Sequence, residues 1–169
     1  MRIILSVVLS FAIATACFAA EKTSKPPTLD GAQWIWHRDA GQAAGTWYFQ
    51  KGMEFPAGKK PAKAQVVITC DNEWILYVNG TKAGQNDAGP DSWKRPQRVD
   101  VTKHLVIEKN ALAIEGVNTI PGPSGLVVKL MVEFEDKTTF QLVTDRTWIS
   151  TAKPEKGWKD NGFVAGDGW

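Results

Sequence analysis

Short apolar runs alternate with turn-forming residues along most of the chain. From Gln33 onward, segments rich in Val, Ile, Trp, Tyr and Phe are separated by clusters of Gly, Pro, Asn and Asp. Apolar and polar side chains alternate within several segments, which is typical of strands with one face in a core. No segment shows the spacing of an amphipathic helix. The pattern predicts an all-β sandwich, with strands at 33–36, 46–55, 64–70, 73–78, 82–83, 97–100, 111–117, 125–135, 138–144 and 147–150.

Turn-forming residues mark two hairpins and two long loops. Asn79 and Gly80 follow an alternating strand, and both tolerate the positive φ angles of a tight hairpin turn. Asp136-Lys137 indicates a second hairpin, which lacks Gly and therefore needs a longer or less favourable turn. The segments 84–96 and 121–125 are irregular. We expect these two loops to supply the binding residues.

The N-terminal region differs from the rest of the chain. A single Arg2 precedes an apolar stretch that ends at Phe18, and this predicts a signal peptide over residues 1–19, with an uncleaved anchor as the alternative. A second processing route would use the lipobox-like sequence that ends at Cys17, which would then carry a lipid. We expect a secreted or periplasmic protein, or one held at the cell surface by lipid on Cys17. Apart from this lipid, no attachment to a membrane is expected.

Composition limits the domain count and the classes of partner. The polar segment 20–32 contains Pro26-Pro27 and predicts a flexible tether, which leaves residues 33–169 as one domain. The formal net charge is +2 and the basic residues are scattered, so no nucleic-acid-binding surface is expected. Beyond Cys17 the chain has one cysteine, Cys70, inside an apolar run. It is predicted to be a small buried hydrophobe rather than part of a disulfide.

The chain offers little for catalysis. His37 and His104 are its two histidines, and neither lies in a metal-binding spacing or near a nucleophile turn. Glu115 and Glu133 could serve as a carboxylate pair for glycoside hydrolysis, but strand alternation predicts that both are ordinary outward residues. The sequence therefore predicts a protein that is not an enzyme.

A series of landmarks occurs in a fixed order along the chain. They are Trp34-Ile35-Trp36, Asp71-Asn72, Leu76-Tyr77-Val78-Asn79-Gly80, Asp100-Val101-Thr102, Asn118, Gly125-Leu126 and Thr144-Asp145-Arg146-Thr147-Trp148. Together they resemble the N-terminal galactose-binding-like domain of bacterial α-L-rhamnosidases, over residues 33–150. The resemblance implies a jelly roll of eight or more strands, often attached to a catalytic domain. The segment 154–169 departs from the family pattern, which leaves the pairing of the last strand open.

The resemblance also implies a binding site. Some members of this family bind rhamnose through a calcium ion, and the acidic and amide pair before the Leu76–Gly80 landmark, here Asp71 and Asn72, is among the site residues. Ca²⁺ takes six to eight oxygen ligands. Further oxygen donors lie in the following loop, at Asn86, Asp87 and Asp91. Asn118 belongs to a loop that the family places at the same rim. The alternative is an Asx-type turn in which Asp71 and Asn72 bond nearby backbone amides.

Eight tryptophans are many for this length, and aromatic faces stack on sugar rings. Strand alternation predicts inward packing for most of the interpretable ones, namely Trp34, Trp36, Trp74 and Trp148. Trp93 differs, because it lies in the loop 84–96 beside Arg95, a donor suited to sugar hydroxyls. Trp93 and Arg95 are therefore predicted ligand-binding residues, with a lid over the core as the alternative for Trp93. Trp158 and Trp169 cannot be assigned from the sequence.

These observations favour an exported, non-catalytic carbohydrate-binding module, with Ca²⁺ as a candidate cofactor and a plant or bacterial glycan as the partner. A companion glycoside hydrolase is a second candidate partner. The alternative from another class is a structural or adhesive cell-surface domain that binds a protein and no sugar, since a fold alone does not define a function.

Overall fold

A computed structural model describes residues 28–86, 89 and 91–169 as two antiparallel sheets packed face to face. Their strands are β1 (Gly45–Glu54), β2 (Pro61–Asp71), β3 (Glu73–Val78), β4 (Thr81–Gln85), β5 (Gln97–Asp100), β6 (Lys109–Asn118), β7 (Gly125–Phe134), β8 (Thr139–Val143) and β9 (Ile149–Thr151). Short 3₁₀ turns occur at Arg38–Ala40, Ser92–Lys94 and Thr102–His104. The part of the chain described contains no α-helix. None of its helical segments has the length and apolar character needed to cross a membrane.

The sheets have the orders β4-β3-β6-β1-β9 and β5-β2-β7-β8. Alternate residues of each central strand face the other sheet, as the period of a strand requires. In β3, for example, Trp74, Leu76 and Val78 are buried while the residues between them are half-buried. The same alternation in β6 and β7 places Ile114 and Leu130 in a single core. The predicted all-β sandwich is confirmed.

The segment 33–36 is an exception to the predicted strands. It forms one isolated bridge, in which the Ile35 and Leu126 backbones exchange hydrogen bonds of 2.9 Å in each direction. Trp36 reaches the core edge and packs against Trp47 and Phe49, with ring centroids 5.4 and 5.3 Å away. Trp34 lies beyond that edge and is 54% exposed. The prediction that Trp34 faces the core is wrong, because its ring lies over Gly125 at the surface instead.

The two predicted hairpins are confirmed. Asn79 and Gly80 have φ angles of 50° and 80°, and the Asn79 side chain also accepts a 2.8 Å hydrogen bond from the Ala111 amide, which fixes the turn to β6. In the β7–β8 turn, Lys137 takes the left-handed position that glycine usually occupies, with φ of 69°. The Asp136 carboxylate accepts the Thr138 amide at 3.1 Å and supports that turn.

The C-terminal segment 152–169 crosses the outer face of the five-stranded sheet. Trp158 is 6% exposed and meets Tyr48 edge-on, with ring centroids 5.3 Å apart. Lys159 Nζ lies 3.6 Å from the centre of the Tyr77 ring and 3.2 Å from the Glu115 carboxylate. Trp158 is thus a packing residue of a second apolar layer.

The two candidate catalytic glutamates belong to different sheets. Glu115 lies on β6, where its carboxylate accepts the Tyr77 hydroxyl at 2.9 Å. Glu133 lies on β7 and pairs with Lys137 at 2.9 Å. The alternation of β6 and β7 directs both side chains away from the core, as the sequence predicted, and because the strands belong to different sheets the two lie on opposite outer faces of the sandwich.

Cys70 lies in the core with no exposed surface. Burial raises the pKa of its thiol well above the ordinary value, because the charged thiolate would lose its hydration. The predicted role as a small buried hydrophobe is confirmed.

Candidate functional site

A shallow pocket opens at the end of the sandwich where β2 ends and β7 begins. Asp71 and Gly125 are register partners there, and the pocket encloses about 250 Å³. Its lining residues are Trp34, Asp71, Trp93, Pro123, Ser124 and Gly125. Both loops that were predicted to carry binding residues contribute to it. We call this depression the end pocket.

Asp71 supplies the charged group of the end pocket. The side-chain amide of Asn72 donates a 2.7 Å hydrogen bond to its Oδ1, and the Asp71–Asn72 peptide bond is cis. Partial burial raises the pKa of the Asp71 carboxyl, the bond from Asn72 opposes this, and the negative charge of Asp91 raises it further. Asp71 is therefore a carboxylate whose ionised form gains from a ligand that donates hydrogen bonds or carries positive charge.

Asn72 fixes the two loops that form the walls. Its side-chain Oδ1 accepts hydrogen bonds of 2.9 Å from both the amide and the hydroxyl of Thr119, which precedes the loop 121–125. Its backbone carbonyl accepts the Ser92 hydroxyl at 2.6 Å and the Asn86 side-chain amide at 2.9 Å. These bonds join distant segments rather than forming a local Asx turn. Asn72 therefore has a positioning role.

Trp93 occupies the 3₁₀ turn Ser92–Lys94, which begins after Asp91 in the left-handed conformation. The Trp93 carbonyl accepts the Thr69 hydroxyl at 2.9 Å, which ties the turn to β2. The ring is 38% exposed, and Lys94 Nζ lies 5.2 Å from its centre. The backbone is therefore anchored while part of the ring remains open to a ligand.

Trp34 is the site residue that the sequence analysis missed. Its ring lies directly on Gly125, where an added Cβ atom would come within 2.6 Å of Trp34 Cε3. The indole can cover this corner of the end pocket because glycine leaves the space. The signal available in the sequence was the Gly125-Leu126 landmark at the start of a strand, since a strand glycine often marks a close approach of another group.

We expect Gly125→Ala to displace the Trp34 ring. The new methyl group would overlap a rigid indole, and overpacking of this kind costs about 1–3 kcal/mol where the ring cannot move and less where it can. The shift of the Trp34 indole N–H resonance in a ¹H–¹⁵N spectrum measures the displacement. Gly52→Ala is the matched control, because no atom lies within 4 Å of the Cβ it would add. An unchanged Trp34 resonance in Gly125→Ala would contradict this contact.

The other predicted site residues lie around the end pocket rather than in it. Arg95 lines a neighbouring depression with Ser92, Pro96 and Gln97. Asn118 is 2% exposed, and its side-chain amide donates to the Ala43 carbonyl at 3.0 Å. Asp91 is exposed and pairs with Lys94 at 2.9 Å. Asp87 lies outside the described residues.

Comparison with known proteins identifies relatives that share this architecture. No family model matches the chain. It is 28% identical to an α-L-rhamnosidase of Streptomyces avermitilis over 147 residues, which are 83% of this chain and 14% of that protein. A crystal structure of the Streptomyces avermitilis enzyme in complex with L-rhamnose matches 82% of the chain with a TM-score of 0.73. The chain is homologous to one region of an α-L-rhamnosidase. The resemblance to a rhamnosidase domain that the landmarks indicated is confirmed.

A lectin is as similar to this chain as the Streptomyces avermitilis enzyme is. The Pleurotus ostreatus lectin, solved in complex with GalNAc, is 28% identical with a TM-score of 0.73, over 83% of this chain and 42% of the lectin. An Aspergillus terreus α-L-rhamnosidase at 18% identity shares the fold, with a TM-score of 0.71 over 83% of this chain and 21% of that enzyme. The chain thus spans less than half the length of each of these proteins.

Two carboxylates lie at or near the end pocket as candidate ligands of calcium. Asp71 and Asp91 are carboxylates close enough to interact, but the Asn72 Oδ1 already accepts two hydrogen bonds from Thr119. Among the described residues, no three His, Cys, Asp or Glu side chains gather as metal ligands do. The carboxylates of Asp71 and Asp91 are the donors that suit a hard cation here.

Proposed function

We propose that the chain is an exported, non-catalytic module of the galactose-binding-like jelly-roll type that binds carbohydrate in the end pocket. The observation that carries the proposal is the lining of that pocket, in which the Asp71 carboxylate and the exposed rings of Trp34 and Trp93 face one space. The similarity to a lectin solved with GalNAc and a rhamnosidase solved with L-rhamnose supports a sugar as the ligand.

The chemistry of the end pocket suits a sugar. A pyranose ring has apolar C–H faces, which pack on the indole faces of Trp34 and Trp93, and hydroxyl groups around its edge. Asp71 would accept hydrogen bonds from these hydroxyls, and such charge-assisted bonds are stronger than neutral ones. The Ser124 hydroxyl, which donates to the Gly122 carbonyl at 3.4 Å, adds an acceptor. Because Asn72 fixes both loops before a ligand arrives, little ordering is needed on binding.

The size of the end pocket suits one sugar residue. Its volume of about 250 Å³ lies just below the range of roughly 300–1,000 Å³ that is usual for pockets of drug-sized ligands. We therefore propose that it holds a single terminal sugar of a plant or bacterial glycan, on which a companion glycoside hydrolase would act.

We propose that Ca²⁺ assists this binding through Asp71 and Asp91, with Asn72 as the positioning residue and Asp87 as a further donor. The interaction between the Asp71 and Asp91 charges supports this, because a divalent cation would relieve their repulsion. The cation would also offer coordination positions to vicinal sugar hydroxyls.

A non-catalytic role and export complete the proposal. The Glu115 carboxylate is engaged by Tyr77 and Lys159, and Glu133 lies on the other sheet, which supports binding without hydrolysis. Export rests on the signal-peptide pattern of residues 1–19, or on lipid attachment at Cys17, both outside the described residues.

Thermal unfolding tests the proposal. A ligand that binds the folded state alone raises its stability, by about 2.7 kcal/mol at a hundred times its dissociation constant. We expect L-rhamnose or GalNAc to raise the Tm, and Ca²⁺ to increase that rise relative to chelator. A sugar-induced rise that is equal with Ca²⁺ and with chelator would contradict the calcium part alone. No rise with any sugar at tens of millimolar would contradict the proposal and favour an adhesive domain with a protein partner.

We expect sugar affinity to decrease as the pH is lowered. The decrease should begin at a higher pH than it would for an aspartate of ordinary pKa. Burial raises the pKa of Asp71, so its ionised form is present above that raised pKa and is lost as the pH decreases through it. Binding isotherms from pH 8 to pH 4 would show the loss. In Asp71→Asn the weaker residual affinity should not follow this profile, and an identical profile in that variant would assign the titration to another group.

A further inference from the structure

A second and larger cavity opens beside the end pocket, along the edge of the sandwich. It encloses about 710 Å³ between the segment 34–39, Phe49 of β1, and the segments 145–150 and 167–169. We call it the edge cleft. Trp34 lines both the edge cleft and the end pocket.

We propose that the edge cleft is a second sugar-binding subsite, continuous with the end pocket across Trp34, so that the chain binds neutral oligosaccharides rather than a single sugar. This inference rests on the proposed function and extends it.

The wall of the edge cleft is aromatic and fixed. Trp36 packs against both Trp47 and Phe49, and Phe49 is 1% exposed. Trp148 donates its indole N–H to the Val143 carbonyl at 2.9 Å, which holds that ring as well. Trp36 is partly exposed and thus gives the cleft a rigid aromatic surface, the kind of surface on which the apolar face of a sugar ring packs, while the buried Trp148 supports the wall from behind.

Two indole donors beside the edge cleft have no acceptor within the described part of the protein. The N–H groups of Trp36 and Trp169 are buried and have no hydrogen-bond acceptor among the residues that the structure describes. A buried donor without an acceptor is unfavourable, so native structures usually supply one. Both residues line the edge cleft, and an oxygen-rich ligand seated there would supply acceptors once the indole rings rotate to expose their N–H groups.

The charges around the edge cleft favour a neutral ligand. Its polar residues include Arg38 and Arg146 together with Asp39, Asp145 and Asp167, so both signs occur. Arg38 and Asp39 pair at 3.7 Å with side chains 90% and 73% exposed, and such pairs exchange readily with other partners. A polyhydroxyl ligand uses donors and acceptors together, whereas an anionic ligand would meet three carboxylates.

Trp34 connects the two cavities. Its ring is 54% exposed and is held against Gly125 at the border between them. A glycan whose terminal residue occupies the end pocket would continue over this ring into the edge cleft. The volume of the edge cleft is within the range of about 300–1,000 Å³ that is typical for larger ligands.

The test compares short and long sugars by titration calorimetry on the full chain. The probes are L-rhamnose and GalNAc, and neutral tetrasaccharides that end in each of them. We expect the tetrasaccharide to bind at least about tenfold more tightly than its terminal sugar. The variant Arg38→Ala/Arg146→Ala removes two exposed side chains from the edge cleft. It should reduce this advantage at least about threefold while leaving the affinity for the terminal sugar unchanged.

Control measurements distinguish a failure of the edge-cleft proposal from a failure of the proposed function. Lys60→Ala removes an exposed basic residue that lines neither cavity and should change nothing. In NMR spectra, the indole N–H resonances of Trp36 and Trp169 should shift with the tetrasaccharide and remain unchanged with the terminal sugar. Equal affinities for the tetrasaccharide and its terminal sugar would overturn the role of the edge cleft alone. The same holds if the double variant keeps the full affinity advantage of the tetrasaccharide. The absence of binding by every probe would overturn the proposed function as well.

Discussion

Replacing Trp74 with alanine is expected to lower the free energy of unfolding by about 3–5 kcal/mol, because the change leaves a large cavity in the core. Trp74 is 2% exposed in β3. Its backbone also joins the core to the loop 84–96, since its amide donates to Asn86 Oδ1 at 2.7 Å and its carbonyl accepts the Asn86 amide at 3.2 Å. Typical domains have a total stability of about 5–15 kcal/mol, so urea unfolding should show a large shift.

Trp93→Ala is the matched control, because it makes the same chemical change at an exposed ring. We expect it to lower the free energy of unfolding by less than about 1 kcal/mol. Since part of the Trp93 ring is open to solvent, its loss should weaken sugar binding far more than stability. A loss of stability equal to that of Trp74→Ala would show that Trp93 covers the core, and the sugar-stacking role would then be wrong.

Asp71→Asn is expected to weaken sugar binding by about 10- to 100-fold while the fold is retained. The substitution keeps the shape of the side chain and an oxygen that can accept the bond from Asn72, but it removes the charge. A hydrogen bond to a charged group contributes about 1.5–3 kcal/mol, and each 1.4 kcal/mol corresponds to a factor of ten in affinity. Titration calorimetry with L-rhamnose and GalNAc measures the change.

The stability of Asp71→Asn should be equal to or higher than that of the parent protein at neutral pH. Burial and the charge of Asp91 raise the pKa of Asp71, which means that folding disfavours its ionised form. Glu54→Gln, at an exposed position at the end of β1, is the control for the loss of one negative charge. An Asp71→Asn protein that binds sugar as tightly as the parent would remove Asp71 from the site.

Local patterns were sufficient to predict most of the fold. Alternation placed β3 and β5 at the residues where the structure has them, and Asn79-Gly80 identified the β3–β4 turn through its positive φ angles. These features depend on neighbours in the sequence. Trp34 shows where such reasoning ends, because alternation assigns a face to a residue without showing whether anything packs on that face.

The sequence predicted part of the lining of the candidate site. The sequence identified Asp71, Trp93 and the loop 121–125, and the structure brings these together in the end pocket. It could not reveal that Asn72 would bond Thr119, or that Asn118 would turn inward to Ala43, since both contacts join residues far apart in the chain. Trp158 was unassignable for the same reason, because its role depends on Tyr48 across the second layer.

The most direct test of the account is calorimetric titration of L-rhamnose and GalNAc into the protein and into its Trp34→Ala/Trp93→Ala variant, in Ca²⁺. We predict saturable binding of at least one sugar by the parent protein. We also predict an affinity at least about tenfold weaker in the variant, with a Tm close to that of the parent. No binding of either sugar by the parent, or equal binding by the variant, would contradict the assignment of the end pocket as a carbohydrate site.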